Sequence, residues 1–170
     1  MTAHFSLRLP QRQARLVALA VAYHLARPGS ELDRETLQDY EHGLAEVPAA
    51  LEPQLDAESA MLELSSLQVT LLATAMSSVV GELKMYSVFD TMAGESARPR
   101  STAAGFDERL RALFPEVAAE PAAADALAGE MTMLRRELPL ARARELADET
   151  RRLAEEAKGG KGRWRFWKRN

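Results

Sequence analysis

Eighteen consecutive residues, Leu64 to Gly81, carry no charge. A run of that length is close to the shortest that crosses a bilayer, so the chain must either span a membrane with it or bury it in protein. Seven of the eighteen are polar, namely Ser65, Ser66, Gln68, Thr70, Thr74, Ser77 and Ser78. That many hydroxyls and amides in so short a run point to a helix buried in protein. The spacing predicts one long helix over about 56–92, opened by Asp56. At the usual rise it would be roughly 55 Å long, with Gly81 as the expected bend.

The rest of the chain is read as helices around it. Pro10 suits the first turn of a helix, and Gln11 to Ala26 is apolar nearly all round, which places it centrally. Arg27-Pro28-Gly29-Ser30 ends it, and Ser30 with Asp33 forms a capping-box signal. The second helix sets Leu37, Tyr40, Leu44 and Val47 on one stripe, and Pro48 and Pro53 close it. Residues 94–105 read as a loop. A short helix follows with Phe106, Leu110 and Phe114 aligned, stopped by Pro115. Pro121 opens another, with Leu127, Met131, Leu134 and Leu138 as its stripe, and Pro139 should kink or split it. The last helix, Leu140 to Lys158, has a thin seam of Leu146 and Leu153. Opposite charges four apart flank it: Arg144/Asp148, Asp148/Arg152, Arg151/Glu155 and Arg152/Glu156.

Aromatic residues are only 6% of the chain, which favours helices over sheets, because strands draw on aromatic and β-branched side chains. No alternating strand pattern and no internal repeat is read. The expected fold is all-α, an antiparallel bundle of five or six helices with one long central helix. Residues 1–158 form a single domain and 159–170 a separate tail.

The absence of cysteine excludes disulfides, Cys-based zinc sites, iron–sulfur clusters and thiol catalysis. Met1 to Pro10 holds no apolar run with a small-residue cleavage site, so cytoplasmic residence is the expectation. No Gly-x-Ser-x-Gly elbow is present. Gly159-Gly160-Lys161-Gly162 lacks the strand–loop–helix context of a phosphate cradle. The one pattern suited to a metal is Glu35, Asp39, His42 and Glu46, spaced four, three and four apart on the second helix. At about 100° per residue it lies roughly 150° from the apolar stripe and faces water, so a solvated polar face is preferred and no metal or cofactor is expected. His24 reads as a core or rim residue, and His4 as part of a terminus.

Two features point to partners. Ala73, Ser77 and Gly81 are small and four apart, and Ser66, Thr70, Thr74 and Ser78 make a neighbouring stripe. Small residues admit a close helix, within the monomer by preference and across a homodimer seam as the alternative. The second feature is the C-terminus. Residues 158–170 carry six positive charges and no acid. The other 157 residues hold 16 basic and 25 acidic side chains, a net −9. After the glycines, which are expected to break the helix, come Arg163, Trp164, Arg165, Phe166, Trp167, Lys168 and Arg169, with both tryptophans of the chain. Trp and Arg are favoured anchors at protein interfaces. The same residues suit an anionic membrane surface and, less well given the acidic body, nucleic acid. The expected function is a non-catalytic helical interaction or scaffold protein docking through this tail onto a protein partner or itself. The alternatives are a membrane-surface or nucleic-acid binding protein using the same tail, and a metal-dependent helical-bundle enzyme.

Overall fold

The computed structural model describes residues 4–27, 43–93 and 103–166, with side chains described to residue 88 in the second stretch and to 156 in the third. The elements run β1 (His4–Pro10), α1 (Gln11–Ala26), α2 (Val47–Leu51), β2 (Ser59–Ser65), α3 (Ser66–Ala93), α4 (Phe106–Leu113), α5 (Pro115–Ala119), α6 (Ala123–Glu137) and α7 (Leu140–Phe166). The chain is mostly helical, as expected, with one small two-stranded sheet beside the helices.

β1 and β2 form a two-stranded antiparallel ribbon in which His4 faces Ser65 and Pro10 faces Ser59. On β2, Ala60, Leu62 and Leu64 are buried while Met61 and Glu63 are exposed. On β1, Phe5, Leu7 and Leu9 turn to the core, and His4, Ser6 and Arg8 to solvent. This period of two corrects the expectation of a chain without strands. It also moves the start of the long helix from Asp56 to Ser66. The reason is local: Ser65 and Gln68 form a capping box. The Gln68 N–H donates to Ser65 Oγ at 3.2 Å, and the Ser65 N–H donates to Gln68 Oε1 at 2.9 Å. Asp56 instead lies in a turn, where Arg15 donates to its carboxylate at 3.3 Å.

α3 passes through Gly81 without interruption and packs most extensively against α6, then against α7 and α1. Its inward row is Val69, Leu72, Met76, Val79 and Leu83, all buried. α1 is buried nearly all round, as Leu16, Val17, Leu19 and Val21 show. The expected stripes of α4 and α6 are also inside: Phe106, Leu110 and Phe114, then Leu127, Met131, Leu134 and Leu138. Pro139 splits the last long stretch into α6 and α7, with Leu138 in extended backbone between them. Burying a leucine completely is worth about 1.5–3 kcal/mol, so these rows are the main source of stability.

Residues 28–42, on which most of the expected second helix falls, lie outside the described residues. The segment after them departs from the expectation. Leu44–Glu46 is a 3-10 turn, and Pro48 sits in the first turn of α2 rather than closing a helix. Leu44 and Val47 are buried as their stripe required.

Polar contacts tie the layers together. Arg12 at the start of α1 donates to Glu130 on α6 at 2.5 and 2.8 Å and to Glu116 on α5 at 2.8 Å, and its guanidinium lies 5.5 Å from the Phe114 ring centroid. The hydrogen bond to Glu130 raises the Arg12 pKa above its usual value. Burial pushes the Glu116 carboxyl up, but its own backbone N–H and Arg12 outweigh this and hold it below the ordinary glutamate value. Arg109 on α4 pairs with Glu52.

Candidate interaction surfaces

The outward face of α3 is unusual for a solvent-facing helix. Leu67, Thr74, Ser77, Gly81, Met85 and Val88 are exposed along it, and Thr70 and Ser78 are half-buried at its margin. Between Ser66 and Val88 the only charges are Glu82 and Lys84. Glu82 is engaged, since the Tyr23 hydroxyl donates to its Oε1 at 2.9 Å. The hydroxyls of Thr70, Thr74, Ser77 and Ser78 each donate to the carbonyl four residues earlier, at 3.0–3.2 Å. Back-bonding of this kind satisfies the hydroxyl inside the helix, so these side chains present largely hydrocarbon.

The stripe Ala73, Ser77, Gly81 does not stay on one side. Each step of four residues turns 40°, which carries the row from the interior to solvent. Ala73 is buried, with Arg135 Nε on α6 donating to its carbonyl at 3.1 Å. Ser77 and Gly81 face outward, and a Cβ placed on Gly81 would meet nothing within 4 Å. Of the neighbouring stripe, Ser66 is buried, Thr70 and Ser78 are half-buried, and Thr74 is exposed.

α7 is a second surface. Ala143 is buried, Leu146 and Ala147 are half-buried, and every side chain from Asp148 to Glu156 is exposed, with Leu153 at 60%. The described ion pairs on it are three apart, Arg142–Glu145 at 3.4 Å and Arg151–Asp148 at 3.6 Å, rather than four apart as expected. The helix runs on through Gly159 and Gly160 to Phe166, which corrects the expected break at the glycines. Backbone hydrogen bonding already established over nineteen residues before Gly159 outweighs a glycine cost of about 1 kcal/mol each. The backbone of Arg163, Trp164, Arg165 and Phe166 is therefore helical, while Trp167, Lys168 and Arg169 lie outside the described residues.

The catalytic reading gains little geometry. Glu35, Asp39 and His42 lie outside the described residues, and Glu46 is an exposed side chain in the 3-10 turn. Among the described residues no three His, Asp or Glu side chains gather as a metal site would require. His4 is exposed on β1 and His24 half-buried on α1. A shallow apolar dimple between α1 and α2, lined by Ala18, Val21, Val47 and Leu51, has room for about one water. Tyr23 meets Phe106 edge-on at 5.3 Å and Arg27 at 5.7 Å, which joins α1 to α4 as core packing does.

No protein-family model matches this chain, and neither a curated protein nor a solved structure is significantly similar to it.

Proposed function

We propose that the chain is a non-catalytic interaction protein. In this reading the helices form an antiparallel bundle, and α7 is an arm that presents the basic aromatic segment, Arg163 to Arg169, to an acidic protein surface. The supporting observation is the exposed run on α7 from Asp148 to Glu156, beyond which the backbone stays helical. That helical backbone continues to Phe166, about 28 Å beyond Ala147 at the helical rise. An arm of that reach separates six cations from a body of net −9. Charge complementarity then selects an acidic partner and speeds encounter, while Trp164, Phe166 and Trp167 supply the apolar anchors that interfaces favour. The reading places the protein in the cytoplasm.

Both tryptophans lie in the segment, so their fluorescence reports on it directly. The expected result is water-exposed emission in the isolated protein, a blue shift on adding an acidic protein partner isolated by pull-down, and loss of that capture when residues 159–170 are deleted. Capture that is indifferent to the deletion overturns the reading. So does emission already blue-shifted in the isolated protein and released by salt, which would mean that the segment docks on its own body.

The second reading is an anionic membrane surface, where tryptophan sits at headgroup depth and each cation contributes about 1 kcal/mol. The outward face of α3 supports it, since Leu67, Met85 and Val88 are exposed there as apolar side chains. A blue shift with phosphatidylserine vesicles but not with the acidic protein selects it.

A further inference from the structure

The two strands of the ribbon differ at their outer edges. Antiparallel neighbours alternate between pairs that exchange both backbone hydrogen bonds and pairs whose N–H and C=O point outward. Met61 engages both of its groups with the Gln54 side chain, and Ser65 gives its N–H to Gln68. The pairs Met61–Arg8 and Ser65–His4 are therefore of the outward kind, and by alternation so is Glu63–Ser6. The Gln11 N–H on the Glu58 carbonyl at 3.0 Å continues the same alternation. On β1 this geometry turns the N–H and C=O of Ser6 and Arg8 to the outside, where no hydrogen bond among the described residues meets them. His4, Ser6 and Arg8 are exposed, and Pro10, with no N–H, ends the row. Folded proteins usually guard such edges. Among the described residues, Gln54 and Gln68 close the edge of β2 at Met61 and at the Ser65 N–H, and nothing closes that of β1.

We propose that this edge takes β1 of a second copy, antiparallel about a two-fold axis at Ser6, so that two ribbons join into one four-stranded sheet. The strand is complementary to itself in that register. Ser6 exchanges both bonds with Ser6 of the second copy, and His4 does so with Arg8 at each end, using every outward group of the three residues. On the body side Phe5 falls opposite Leu7 of the second copy. Both are only partly buried within their own chain, and the outcome is an apolar pair at the closer, non-hydrogen-bonded spacing. Arg8 lands opposite His4 rather than opposite its own counterpart, so no two guanidinium groups meet. This surface is independent of the α7 arm, and its failure leaves that reading untouched.

Sedimentation equilibrium of the full chain over a micromolar to submillimolar series should show a monomer–dimer equilibrium. Ser6→Pro removes one outward N–H, a change that an edge position tolerates, and should weaken the dimer by roughly tenfold or more. Ser6→Ala keeps the N–H and should stay within about twofold. An independent check uses the absence of native cysteine. Ser6→Cys sets two thiols on Cα atoms about 5.5 Å apart, within disulfide range, and should oxidise to a cross-linked dimer. Arg8→Cys leaves the thiols roughly 13 Å apart along the strands and should not. A monomer throughout, a dimer indifferent to Ser6→Pro, or equal cross-linking of the two thiols overturns the proposal.

Discussion

The side-chain amide of Gln54 occupies both backbone groups of Met61, accepting from its N–H at 2.9 Å and donating to its carbonyl at 3.1 Å, while a second donation at 2.8 Å reaches Ala50 O. One glutamine thus stands where a third strand would and ties the α2 turn to β2. Gln54→Ala should lower stability by about 1–2 kcal/mol, the usual cost of unmet backbone groups and lost hydrogen bonds. Gln54→Glu keeps the acceptor and loses the donor, so its midpoint in urea should fall between the two.

Arg12 bridges α1 to both α5 and α6. Its bonds are charge-assisted but half exposed, so Arg12→Ala should cost only about 1 kcal/mol. The pH dependence follows from Glu116, whose folded-state carboxyl is held below the usual value of 4.5. Its contribution is fully present above the unfolded value and is lost as pH falls through the lower folded one. Stability measured from neutral pH into the acid range should therefore decline through that window, and Arg12→Ala should flatten the decline.

Leu127 and Leu153 are both stripe leucines, yet one is fully buried and the other 60% exposed. Leu127→Ala should cost about 2–5 kcal/mol, and Leu153→Ala no more than about 0.5 kcal/mol. Chemical denaturation of the two variants checks the contrast; similar losses would place Leu153 in a packed interface.

Two glycines should respond oppositely to alanine. Gly105 precedes α4 with φ +74°, where a Cβ costs about 1–2 kcal/mol. Gly81 lies inside α3 with open space around it, so Gly81→Ala should raise stability by about 0.5–1 kcal/mol. Thermal unfolding of both variants measures the two signs.

Apolar spacing made most of the helices legible. α1, α4 and α6 bury the residues that their stripes nominate, and Pro139 divides α6 from α7 because proline cannot continue the preceding turn. The strands were harder to see. Ala60, Leu62 and Leu64 alternate correctly for β2, but they run straight into the apolar pattern of α3, and over seven residues periods of two and 3.6 are difficult to tell apart. The capping box of Ser65 and Gln68 was the signal that separates them. Of the interaction surfaces, the cation-rich end of the chain was visible as composition and the small-residue row as spacing. That the row turns from Ala73, inside, to Gly81, outside, depends on where α6 lies.

The sequence by itself determined α1, α4 and α6 and the side chains that they bury, because local periodicity and proline placement act over a few residues. Only the tertiary structure decided what the uncharged run Leu64 to Gly81 becomes. Its first two residues end a strand, one side of the helix beyond them packs on α1, α6 and α7, and the other side stays open. β1 and β2 are separated by about fifty residues of chain, so neither strand can form its hydrogen bonds until long-range packing brings them together. The same pairing fixes which backbone edge Gln54 closes and which remains open at Ser6.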